Sequence, residues 1–211
     1  MEIKGLTINF LGDSITEGKG VLEPQNRFVD RIASRGKCIC RNYGVGGTRI
    51  ARQSKASDPT RYDLDYNARF LCMDHNADLI VVFGGTNDFG HGDAPMGNKG
   101  DSSVYTFYGA VQSLCTSIRT RYDSSQVIIL TPLHRFRPEE ESMEPKLEEY
   151  VNVILELATE NRFHVLDLYH NSEIHPQLEN ARETLVPDGL HPNDAGHAIL
   201  AEEIFDFISQ V

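Results

Sequence analysis

The feature that most constrains the fold is an alternation. Short apolar runs trade places with segments of helical period five times along the chain. The clearest run is 78–85, DLIVVFGG, where five consecutive apolar residues stand between an aspartate and two glycines. A run without polar alternation is buried on both faces, the signature of a strand in a parallel sheet covered by helices. Residues 6–12 (LTINFLG) and 126–132 (QVIILTP) read the same way, and 37–43 and 163–168 are shorter strands. Helical spacing predicts helices over 24–36, 63–76, 103–121, 144–161 and 193–210. Gly36 is a natural stop for the first of these, and Asn193 a natural N-cap for the last. The pattern predicts an α/β fold, a parallel sheet with helices on both faces. Such sheets hold their sites beyond the carboxyl ends of the strands, at a topological switch point. No repeat, low-complexity tract or linker divides residues 1–211, so one domain is expected.

Charge narrows the function classes. Against 31 Asp and Glu the chain has 20 Lys and Arg, a formal net charge of -11. Nucleic acid and anionic membrane surfaces are therefore poor partners. The longest basic cluster is a loose scatter through Arg49, Arg52, Lys55 and Arg61. No stretch approaches the ~18 apolar residues of a membrane span. The N-terminal run is too short for a secretory signal and has no small-residue cleavage site, so a cytoplasmic location is expected. Four cysteines are too few for a disulfide scaffold. Cys38 and Cys40 alternate on a strand and read as reduced structural thiols rather than metal or redox groups.

Four segments fall where the site of such a sheet would form: GDSITEG (12–18), GVGGTR (44–49), GGTNDFG (84–90) and DGLHPN (188–193). Ser14 follows a buried strand within a Gly-bounded turn. It suits a nucleophile with backbone N–H groups nearby, and equally a helix cap or ST-turn. The phosphate-binding P-loop is excluded: Gly12 to Gly18 is one residue too long, and Gly20 follows Lys19 where a hydroxyl is required. The G-x-S-x-G elbow is excluded because Thr16 replaces its closing glycine. Asp188 and His191, three apart on one loop, can supply a base and the group that orients it. The Asn87 amide can donate to an oxyanion, though Asn87 or Asp88 can also simply cap a βα turn. The 44–47 turn lacks the spacing of a dinucleotide site, but its N–H groups can serve the same oxyanion.

Together, in this order and spacing, the four blocks resemble the SGNH hydrolases, the GDSL lipase/esterase superfamily, over about residues 6–200. The resemblance implies a three-layer α/β/α sandwich around a five-stranded parallel, flavodoxin-like sheet. It implies Ser14 as nucleophile, His191 as base and Asp188 as its orienter. The oxyanion would be held by the Ser14 N–H, the Gly47 N–H (Gly46 being the close alternative) and the Asn87 side chain. No metal or cofactor is required. Asp13, Asp88, His91 and His134 are expected near the substrate, the two histidines because loops 89–102 and 133–144 can overhang the site. Asp13 suits bracing the turn as well. His75, His164, His170, His175 and His197 show no ligand-like grouping.

The expected substrate is a small-molecule ester, a short acyl (acetyl) group on a polar or carbohydrate alcohol. The chain has no Trp, the residue most used to stack sugars. The rivals are a lysophospholipase or acyl thioesterase with an apolar groove, a non-catalytic binding protein on the same fold, and a phosphopantetheine or nucleotide binder. An exposed apolar helix face would suit a homo-oligomer.

Overall fold

Val81 and Val82 point to opposite faces of one sheet, and both are buried. This is the two-sided burial that an unbroken apolar run demands. The computed structural model describes residues 2–211. Its strands are β1 (Thr7–Gly12), β2 (Ile39–Gly44), β3 (Leu79–Phe83), β4 (Gln126–Leu130) and β5 (His164–Leu166). All neighbours pair in parallel, in the order β2-β1-β3-β4-β5. That is the flavodoxin-like order. The helices are α1 (Ser14–Glu17), α2 (Phe28–Gly36), α3 (Tyr66–Arg69), α4 (Thr86–His91), α5 (Phe107–Arg121), α6 (Leu147–Glu160), α7 (Leu168–Asn171), α8 (Glu179–Leu185) and α9 (Asp194–Gln210). Among the described residues, no helix is long and apolar enough to cross a membrane.

Two cores sandwich the sheet. Ile80 and Val82 of β3 join Val127 and Ile129 of β4 against Phe107, Leu114 and Ile118 of α5 and Ile154 and Leu157 of α6. Leu79, Val81 and Phe83 join Ile128 and Leu130 on the other face. There they meet Phe28, Val29 and Ile32 of α2 and Leu200, Ile204 and Ile208 of α9. Burying one such side chain stabilises by about 1.5–3 kcal/mol relative to exposure, so these layers carry the fold.

Two helical expectations change in detail. The predicted helix over 24–36 starts at Phe28: Pro24–Asn26 form a separate 3-10 turn, and Arg27 between them is extended. The segment 63–76 is broken into two 3-10 turns and α3. Leu64 leaves the helical region there, and Asp65 caps a new start through its carboxylate on the Ala68 N–H. Leu64 and Leu71 are exposed there, while Tyr66 and Phe70 are buried. The short helices α7 and α8 occupy residues for which no helix was expected.

The strand order fixes the site. From β1 the chain goes to β2 on one side, then crosses to β3 on the other. Gly12 pairs with Gly44 and with Phe83, so the chain leaves β1, β2 and β3 at one level. The segments beginning at Asp13, Val45 and Gly84 therefore emerge side by side at the switch point.

Candidate active site

Ser14 opens α1 directly after β1. Asp13 caps that turn, its carboxylate accepting from the Ile15 N–H at 3.0 Å. Burial pushes the Asp13 carboxyl up to about 6. The Asn42 amide donates to the Thr16 carbonyl at 2.6 Å and ties α1 to β2.

His191 reaches Ser14 from the loop before α9, which Asn193 starts by accepting from the Ala195 and Gly196 N–H groups. Ser14 Oγ and His191 Nε2 are 3.0 Å apart, and His191 Nδ1 lies 2.6 Å from Asp188 Oδ2. Asp188 Oδ1 also accepts from the backbone N–H groups of Leu190 and His191. A carboxylate at Nδ1 requires the proton there, which leaves Nε2 free to accept from the serine. Burial pushes the His191 imidazole below its ordinary value. The Asp188 hydrogen bond and charge oppose this, and the charges of Lys19 and Arg137 add to it. Burial alone would raise Asp188, but hydrogen bonds from the His191 ring and from the two N–H groups bring it below the ordinary carboxylate value. This arrangement can move a proton from a serine hydroxyl to an imidazole held in one tautomer.

Ser14 and His191 line a cavity of about 330 Å³ together with Gly46, Gly47, Asn87 and His91. That is at the small end of the ~300–1,000 Å³ typical of ligand sites. The two glycines differ. The Gly46 N–H donates to Glu17 Oε2 at 2.9 Å, whereas among the described residues no acceptor takes the Gly47 N–H. Gly47 has φ +79, and a Cβ there would overlap the Tyr62 ring, so the position requires glycine. The Asn87 amide donates one N–H to the Thr48 carbonyl at 3.0 Å, and its Oδ1 lies 3.2 Å from His91 Nε2.

The other expected contacts divide. Asp13 and Asp88 are buried outside the cavity lining. The two Asp88 oxygens accept from the Ile50 and Ala51 N–H groups at 2.9 and 2.8 Å, and burial raises its pKa to about 7. His91 lines the cavity with its Nδ1 held by Arg49 at 3.2 Å. His134 lies outside it, stacked between Tyr169 and His175 beside a second cavity of about 310 Å³. Of the two overhanging loops, 89–102 contributes only Gly90 and His91 to the lining, whereas 133–144 contributes Arg135, Arg137, Glu139, Glu140 and Met143. That second loop is fastened. The Phe136 N–H donates to the Gly189 carbonyl at 2.8 Å, and Arg135 is bound to Thr86 and paired with Glu140.

Sequence reading missed Glu17, Arg49, Arg61, Arg135 and Arg137. The signals available were the basic scatter containing Arg49 and Arg61, and Arg-Phe-Arg at 135–137, two cations inside a segment otherwise rich in glutamate.

No curated protein sequence matches significantly. A protein from Lactobacillus plantarum superposes with a TM-score of 0.86 at 26% identity, covering 98% of each chain. An acetyl xylan esterase superposes at 0.66 and 24% identity, covering 95% of this chain and 98% of that one. A variant of an acetyl-xylooligosaccharide esterase from Geobacillus gives 0.64 at 20%, covering 99% and 96%. The last two are likenesses of fold. The family model of the GDSL-like lipases and acylhydrolases matches residues 10–199, nearly the whole chain. Its span takes in Ser14, the 44–49 turn, Asn87 and the Asp188–His191 loop, and the chain therefore belongs to this family of hydrolases.

Proposed function

We propose that the chain is a cytoplasmic serine esterase that removes a short acyl group, acetyl above all, from a small polar or carbohydrate alcohol. The observation that carries this reading is the Ser14–His191–Asp188 relay, with its 3.0 and 2.6 Å separations. His191 Nε2 takes the Ser14 Oγ proton as Oγ attacks the acyl carbonyl. The Ser14 and Gly47 N–H groups and the second Asn87 amide hydrogen stabilise the oxyanion. Gly47 is preferred to Gly46 because the Gly46 N–H is already given to Glu17. The imidazolium then protonates the leaving alkoxide. Water, deprotonated by the same histidine, attacks the acyl-serine and releases the carboxylic acid.

The acyl preference rests on the cavity. Its volume is about 330 Å³, and its apolar side chains are Tyr62, Met143 and Leu190 among many charged ones. A lysophospholipase or long-chain thioesterase needs a long apolar groove, and nothing in this lining favours one. Two structural neighbours are named as acetyl esterases of xylan or xylo-oligosaccharides, which is consistent with the reading.

The test is initial rates on p-nitrophenyl esters from acetyl to palmitoyl, with wild type and Ser14→Ala side by side. Turnover should peak at acetyl and vanish in Ser14→Ala. A peak at long chains would overturn the substrate reading. Turnover that survives in Ser14→Ala would overturn the mechanism.

A further inference from the structure

A chain of net charge -11 lines its cavity with four cations, Lys19, Arg61, Arg135 and Arg137. One of the four is neutralised locally: Arg135 is paired with Glu140 in a buried ion pair. Of the remaining carboxylates in the lining, Glu17 is taken by the Gly46 N–H and Glu139 stands exposed at the rim. Lys19, Arg61 and Arg137 make no ion pair among the described residues. The Arg137 Nε is shut off from solvent with no hydrogen-bond partner. A ligand cannot reach that nitrogen, but the guanidinium charge, with no carboxylate paired to it, is available to an anion in the cavity.

These charges stand close to the reacting groups. The loop carrying Arg137 is bonded to Gly189, in the same turn as Asp188 and His191. A point one bond out from the Gly46 Cα lies 2.6 Å from Glu17 Oε2, 3.4 Å from Ser14 Cβ and 3.6 Å from Arg61 Nη2, so a carboxylate and a guanidinium both stand beside the serine. The charges of Lys19 and Arg137 are felt at the His191 ring itself. An arginine fork matches a carboxylate in shape as well as charge, and a lysine adds a point charge beside it.

We infer that the ester this site prefers carries an anionic group, a carboxylate in the simplest case, held by Arg137 and Arg61 beside the bond that is cleaved. The inference rests on the esterase reading and narrows its substrate class to acidic esters. An acidic protein with a cationic cleft repels anions over most of its surface and admits them at one place, which favours selection at the site over collection from a distance.

Two ester pairs test it. One is 4-acetoxybenzoate against its methyl ester, with the charge on the leaving group. The other is p-nitrophenyl hydrogen glutarate against p-nitrophenyl valerate, with the charge on the acyl group. The readout is the ratio of kcat/KM for the charged over the neutral member. In wild type at least one ratio should exceed one by about 10- to 100-fold, the range for a charge-assisted hydrogen bond. Arg137→Gln and Arg61→Gln should each lower that ratio. Arg137→Lys should retain part of it, which separates a lost charge from a disturbed loop. Raising the salt from about 0.05 to 0.5 M should lower it as well. Ratios at or below one for both pairs, or a ratio indifferent to both glutamine variants, would overturn the inference while Ser14-dependent hydrolysis of the neutral esters left the esterase reading standing. Absence of Ser14-dependent hydrolysis of all four esters would overturn the esterase reading, and this inference with it.

Discussion

The Asn87 amide is aimed by its neighbours. Arg49, itself buried, donates to His91 Nδ1 and to the His91 carbonyl. The ring is thereby left with its proton on Nε2, facing Asn87 Oδ1. With Oδ1 occupied, the amide must present its N–H groups to Thr48 and to the cavity. Asn87→Ala should lower kcat by about 10²–10³-fold, the cost of one oxyanion donor. His91→Phe should lower kcat by less and leave KM unchanged, because it loosens the aim of the donor without removing it. Steady-state kinetics on the acetyl ester checks both, and an Asn87→Ala enzyme with unchanged kcat would contradict the assignment. The pH profile belongs to the same scale. His191 must be neutral to accept the serine proton, and burial holds its pKa below 6.5. Activity should therefore be present above that lowered pKa and fall away as the pH drops through it, with the acid limb of kcat/KM below 6.5. Lys19 adds to the depression, so Lys19→Gln should move that limb upward. A limb that moves down in this variant would contradict the account.

Among the elements, β2 and α1 set how closely Ser14 can approach the 44–47 turn. Gly44 ends β2 against the backbone of α1, and a Cβ there would run into the Glu17 nitrogen and the Thr16 carbonyl carbon. Neither is the end of a flexible side chain, so Gly44→Ala must push α1 away from the sheet. The expected cost is about 1–3 kcal/mol, read from the denaturant midpoint. Activity should fall by more than the loss of stability explains, because Ser14 moves with α1. The elements also show what a sequence reveals. The runs at 6–12, 78–85 and 126–132 were legible because two-sided burial leaves a run with no polar alternation. The helices over 103–121 and 144–161 were legible because each packs one face on the sheet. The segment 63–76 was not. There Asp65 restarts the helix and Tyr66, buried with its hydroxyl on the Phe83 carbonyl, replaces the leucines as the inward side chain. That exchange is decided by the neighbouring strand, and residue spacing does not record it.

In the molecule as a whole, the site divides into a part written locally and a part assembled. Ser14, Gly47, Asn87, Asp188 and His191 each stand in a short block, and it is the resemblance carried by those four blocks together that proposes them from the chain alone, with Gly46 left beside Gly47. Arg61, Arg135 and Arg137 are brought to the cavity by loops whose paths depend on distant partners, as when Phe136 bonds to Gly189 across 53 positions of chain. The same assembly gives an acidic molecule a cationic cleft, and nothing in the net charge foretells it. The central claim remains that Ser14 is the group acylated during turnover. The most direct measurement is intact-protein and peptide mass spectrometry after treatment with a small aryl phosphonate ester that traps activated serines. The account predicts one phosphonyl group per chain, mapped to Ser14, formed far more slowly in His191→Ala and absent in Ser14→Ala. A fully active enzyme that takes up no label at Ser14, or a label that forms equally fast in His191→Ala, would contradict it.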